Sequence, residues 1–95
     1  MTYTVEVREG FLKQANKFFR KHPNLRAPFR QLVSDLEADP FQPKLKLHPL
    51  RGELQGVYAV SLTYSYRVTL TLQVTEKSIV LLDISDHDTV YRTSS

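Results

Sequence analysis

The chain has 95 residues, room for one domain whose core must be economical, because small domains bury a limited share of their surface. Hydrophobic residues make up 41% and charged residues 24%, an ordinary globular balance, and no apolar run approaches the ~18–20 residues that a membrane-spanning helix needs. Thirteen Lys and Arg against ten Asp and Glu give a formal charge of +3, compatible with a polyanionic partner without demanding one, and the lack of cysteine excludes disulfides, thiolate chemistry and cysteine-built zinc sites.

Residues 2–7 alternate like a strand, with Tyr3, Val5 and Val7 on one face. This start has neither the basic residues nor the apolar stretch of a secretion signal, so the expected location is the cytoplasm. Gly10 marks a break. Phe11, Leu12, Ala15, Phe18 and Phe19 then recur at helical spacing, with Lys13, Lys17, Arg20 and Lys21 on the other side, which predicts an amphipathic helix with a basic outer face. His22-Pro23 ends it, since a residue before proline avoids helical backbone. A second helix is predicted from Leu25 or Arg26 to Ala38, with Leu25, Phe29, Leu32, Val33 and Leu36 as its stripe and Pro28 in its first turn. The two helices should form an antiparallel hairpin.

Phe41 to Leu54 reads as a long connection, rich in proline and anchored by Leu45, Leu47 and Leu50, with Lys44, Lys46, His48 and Arg51 facing out. Three strands follow, over residues 56–62, 67–74 and 78–85, joined by turns at Thr63-Tyr64-Ser65 and Glu76-Lys77. Asp86 to Tyr91 suggests a short helical turn. The predicted fold is α+β over residues 1–95 as one domain, in the order β-α-α-β-β-β, with an antiparallel sheet and the helical hairpin packed on one face.

Several words in this chain resemble the RelE/ParE toxin superfamily. They are His48-Pro49-Leu50, then Gly52-Glu53-Leu54-Gln55-Gly56, then Tyr66-Arg67-Val68, then Leu81-Leu82-Asp83-Ile84 with Asp86-His87-Asp88 and Tyr91. Their order and spacing are similar to the YafQ-like and RelE/StbE-like branch across nearly the whole chain. The resemblance implies a toxin of a type II toxin–antitoxin system, held by a cognate antitoxin. It implies a ribosome-dependent endoribonuclease, an mRNA interferase, that acts on the 70S ribosome with mRNA in the A site. It also implies metal-free attack of a ribose 2′-hydroxyl on the next phosphate, with no cofactor and no membrane. The ParE kind shares the fold and poisons DNA gyrase, and an inactive antitoxin-binding relative is a third reading.

Such cleavage needs a base, an acid and a cation on the phosphate. His48 alone reads as a solvated loop residue; the resemblance assigns it proton transfer, as general base. His87 alone reads as a capping or ion-pairing residue whose charged form Asp86 and Asp88 favour; the resemblance makes it the general acid. Arg67 can grip phosphate through two hydrogen bonds, and its place in the "YRV" word matches an active-site arginine. Tyr91 and Tyr66 offer rings for stacking on unpaired bases. Their plain readings are a core-edge residue and a turn aromatic. Lys13, Lys17, Lys44, Lys46 and Arg51, with Arg20 and Lys21, would serve RNA phosphates or an acidic antitoxin, or form a plain solvated face. The pattern departs from the branch at Ser61 and Ser65, where a further histidine and an aspartate are expected. Asp83, Asp86, His87 and Asp88 could in principle bind a metal, but six consecutive positions of strand and turn do not converge easily, so no metal site is expected.

Overall fold

The computed structural model of the protein describes residues 2–50 and 56–86. In chain order it has β1 (Thr4–Val7), α1 (Glu9–Lys21), a 3-10 turn (Pro23–Leu25), α2 (Arg26–Ala38), a second 3-10 turn (Pro43–Leu45), β2 (His48–Pro49), β3 (Val57–Ser61), β4 (Tyr66–Gln73) and β5 (Ser78–Asp86). The strands form one sheet in the order β1-β5-β4-β3-β2. Two helices therefore pack on a mixed five-stranded sheet. The expectation of an antiparallel sheet fails at one pair: β1 runs parallel to β5, with Val5 opposite Ile79, while the other pairs are antiparallel. Parallel pairing needs a long crossover, and the helices with β2–β4 supply it.

The helices form for the reasons their sequences give. In α1, Phe11, Ala15 and Phe19 are buried at a spacing of four residues. Glu9 lies in the first turn and Arg20 and Lys21 in the last, so each charge suits the helix dipole. Gly10 does not break the chain as expected; it sits in the first turn of α1, where backbone N–H groups have no helical partner to lose. In α2, Leu32 and Leu36 are buried and Pro28 occupies the first turn. Phe29 reaches back to both Phe11 and Phe19, at ring centroid distances of 5.9 and 5.3 Å, so α2 folds against α1. The helices cover Val60, Val68, Leu70, Ile79, Leu81 and Ile84, which complete the core. Each such buried side chain stabilises the fold by roughly 1.5–3 kcal/mol.

Two features of β5 shape both faces of the sheet. A bulge sets Thr69 opposite Asp83 and Leu70 opposite Leu81, leaving Leu82 as the extra residue. Inward positions are thereby 79, 81 and 84 instead of 79, 81 and 83, and Asp83 turns to the face away from the helices. Second, β1 pairs with β5 only as far as Leu81. Beyond that point the Gln14 side chain takes over: Ile84 N–H donates to Gln14 Oε1 at 3.0 Å, and Gln14 Nε2 donates to the Ile84 carbonyl. One amide from α1 thus satisfies the strand edge that β1 does not reach. Among the described residues, no helix is long and apolar enough to cross a membrane.

Candidate functional site

The face of the sheet away from the helices is built by strand alternation. Residues directly opposite one another share a face. His48 lies opposite Ala59, Ala59 opposite Thr69, and Thr69 opposite Asp83. In the next row Ser61 lies opposite Arg67, and Arg67 opposite Ser85. Arg67 and Thr69 are buried, although both are polar.

His48 is oriented from both ends. The preceding connection turns through Lys46, a non-glycine residue at φ 54°. That turn aims the Lys46 carbonyl at His48 Nδ1, 2.8 Å away. A carbonyl only accepts, so Nδ1 carries the proton. Nε2 faces Arg67 Nη1 at 3.3 Å. A guanidinium only donates, so in this hydrogen bond Nε2 is the acceptor. The pair sets an acceptor nitrogen beside a cation, on strands whose register puts both on one face.

Ser85 adds a group that the sequence pattern did not single out. Its Oγ is buried and has no hydrogen-bond partner. Burying a hydroxyl without a partner costs about 1–3 kcal/mol, and such a group is a candidate for a ligand's oxygen. Asp83 lies beyond Thr69 on the same face. Partial burial pushes its carboxyl above the ordinary range, against the opposing effects of the Ile84 backbone and the Gln14 side chain. Its side chain still reaches solvent. Among the described residues no group of three or more histidine or carboxylate side chains comes together as a metal site.

No protein-family model matches the chain, and no curated protein does so by sequence. Solved structures do. The RelBE2 toxin–antitoxin complex from Mycobacterium tuberculosis contains a chain 22% identical, with 92% of this chain and 100% of that one covered and a TM-score of 0.74. YafQ from Escherichia coli strain BL21(DE3) is 16% identical over 94% of this chain and 98% of that one, with a TM-score of 0.73. The archaeal RelE–RelB complex from Pyrococcus horikoshii OT3 contains a chain 25% identical over 90% of this chain and 96% of that one, with a TM-score of 0.69. The chain has the fold of the RelE/ParE toxin superfamily.

Within this RelE/ParE-like fold, the expected site residues divide. His48 and Arg67 come together. Ser61, one of the two departures, stands directly opposite Arg67. Ser65, the other, lies in the exposed β3–β4 turn, where its N–H meets Thr63 Oγ1. Tyr66 does not join them. It precedes Arg67 on β4, so its side chain projects to the helix side, against Phe18 and His22 at 5.2 and 5.1 Å. Lys44 is ion-paired with Asp35 at 3.3 Å and Lys13 with Glu9 at 3.6 Å, so neither is a bare cation. Lys46 and Lys17 are exposed. His87, Tyr91 and Arg51 lie outside the described residues.

Sequence reasoning missed His22, which it used only as a helix end. The signal was there: Phe18 and His22 are one helical turn apart, as are Lys17 and Lys21, and the rings of the first pair lie 4.6 Å apart.

Proposed function

We propose that this chain is the toxin of a type II toxin–antitoxin pair and cuts translated mRNA in the ribosomal A site. The observation that carries the reading is the His48–Arg67 pair, with a lone pair on Nε2 and a guanidinium 3.3 Å from it. A phosphate entering between them takes the guanidinium's hydrogen bonds, and Nε2 is released to accept the proton of a 2′-hydroxyl. The hydroxyl oxygen then bonds to the phosphorus and the 5′-oxygen of the next nucleotide leaves. The products are a 2′,3′-cyclic phosphate and a 5′-hydroxyl end. The Ser85 and Ser61 hydroxyls stand in the Arg67 row, within reach of a phosphate held there as further donors. His87 remains the residue proposed to protonate the leaving oxygen, and Tyr91 to stack on a base. RelBE2 and RelE–RelB are toxin–antitoxin complexes, which supports a cognate antitoxin as the resting partner here.

A second reading has an observation of its own. Ser61, which cannot carry a proton at neutral pH, stands opposite Arg67 where the branch has an ionisable group. This favours a non-nuclease toxin acting by binding, such as a gyrase poison, because function lives in the site and not in the fold.

The two readings part in one experiment. Expression is induced in bacteria, and transcript 5′ ends are mapped for the wild type, His48→Gln and Arg67→Ala. Growth arrest with new cuts inside translated regions, both lost in His48→Gln, is expected. Arrest without new cuts, unchanged in His48→Gln, would contradict the nuclease reading and point to DNA supercoiling as the next measurement.

A further inference from the structure

The end of α1 and the ends of β4 and β5 enclose an open-mouthed pocket of about 360 Å³. This lies within the size range of small-ligand sites, ~300–1,000 Å³. Its helical and aromatic walls lie on the helix side of the sheet and include neither His48 nor Arg67, while Ser85, opposite Arg67, borders it at the strand end. Its walls have three chemistries. Phe18, His22 and Tyr66 form an aromatic cluster, with all three ring pairs between 4.6 and 5.2 Å. Lys17 and Lys21, one helical turn apart, line the α1 side. Asp86 lies on the strand side, opposite Tyr66.

We infer that this pocket binds a nucleotide unit, an aromatic base carrying a phosphate, either free or within single-stranded RNA. The half-buried His22 and Tyr66 rings offer stacking surface to a planar base. The two ammonium groups attract the phosphate. Both lysines stand on the α1 wall, so the ligand is oriented with its phosphate towards α1 and its base towards the strand ends. A simple anion site would not need the aromatic wall, and a purely apolar site would not need the lysines. The assignment does not depend on the chain cutting RNA.

The test is a titration of the isotope-labelled full chain with 5′-AMP, ribose-5-phosphate, inorganic phosphate and a hexameric adenylate RNA, following amide signals of residues 17–22 and 66. AMP should shift these signals with at least ten-fold higher affinity than ribose-5-phosphate or phosphate. His22→Ala and Lys17→Gln/Lys21→Gln should each weaken AMP at least ten-fold, with melting temperatures confirming that both variants fold. His48→Gln should leave AMP binding unchanged while abolishing any cleavage, so this assignment and the nuclease reading fail separately. RNA binding tighter than AMP identifies a strand as the source, and equal affinity identifies a free nucleotide; either supports the pocket. Equal binding of AMP and phosphate, AMP shifts confined to other residues, or AMP affinity unchanged in both variants would overturn it. An acidic, aromatic-containing peptide binding at these residues ten-fold more tightly than every nucleotide probe would also overturn it, in favour of a protein partner.

Discussion

Replacing Gln14 by leucine should destabilise the fold by about 2 kcal/mol, although Gln14 lies on a helix flank and leucine nearly matches its size. Its amide both accepts from and donates to the Ile84 backbone. Each bond is worth roughly 0.5–1.5 kcal/mol net, and a buried backbone group left without a partner costs about 1–3 kcal/mol. The two sites are only part-buried, so water recovers some of that cost and the total settles near ~2 kcal/mol. For a domain of this size that corresponds to a melting temperature lower by roughly 8–16 °C. The assay is urea and thermal unfolding of wild type, Gln14→Leu and Gln14→Glu, with amide exchange at Ile84. Glutamate keeps the acceptor for Ile84 N–H but sets a carboxylate against the Ile84 carbonyl, so it should also destabilise. Ile84 N–H should exchange more than ten-fold faster in Gln14→Leu. If Gln14→Leu unfolds within ~0.5 kcal/mol of wild type, with Ile84 exchange unchanged, the idea that α1 completes the edge of β5 is wrong.

Leu36 is fully buried in α2, and Leu36→Ala should cost about 2–5 kcal/mol in denaturant unfolding; a loss under ~1 kcal/mol would mean that the core relaxes into the cavity. Gly56 has φ +81° with open space where a methyl group would stand, so Gly56→Ala should cost about 1 kcal/mol through backbone conformation alone, read in the same assay. Asp83 has a raised carboxyl, so the folded chain holds its proton more readily than the unfolded chain. Its contribution to stability is present below the unfolded carboxylate range and is lost as pH rises through the raised folded value. Asp83→Asn should therefore gain on wild type as pH rises from acid towards neutrality, and parallel stability–pH curves for the two proteins would contradict this.

Much of the architecture was legible because apolar residues recur periodically along the helices and β4. Phe11, Ala15 and Phe19 mark α1, and Val68 and Leu70 against Thr69 and Thr71 mark β4. The features that escaped depend on partners distant in sequence. Four residues of β1 carry no information about strand direction, which is set by the crossover that returns to β5. The bulge at Leu82 hides in the apolar run 79–82, and only the burial of Ile84 in place of Asp83 reveals it. The His48–Arg67 meeting follows from the β2–β3–β4 register, which fixes both on one face. That same alternation puts Tyr66 on the other face, a consequence readable from Tyr66 and Arg67 being neighbours on a strand. His22 escaped notice because a histidine before proline has a sufficient local explanation as a helix stop.

The most direct test is a double-mutant cycle on cleavage of ribosome-bound mRNA by the purified chain, with His48→Gln, Arg67→Ala and the double variant, each checked for folding by thermal melt. If His48 takes the proton while Arg67 holds the phosphate, each single change lowers the cleavage rate by about 10²–10⁴-fold. The double variant should then be little worse than the more damaged single one, as for groups that act as a unit. Cleavage at the wild-type rate by His48→Gln, or losses that multiply in full, would contradict a shared site.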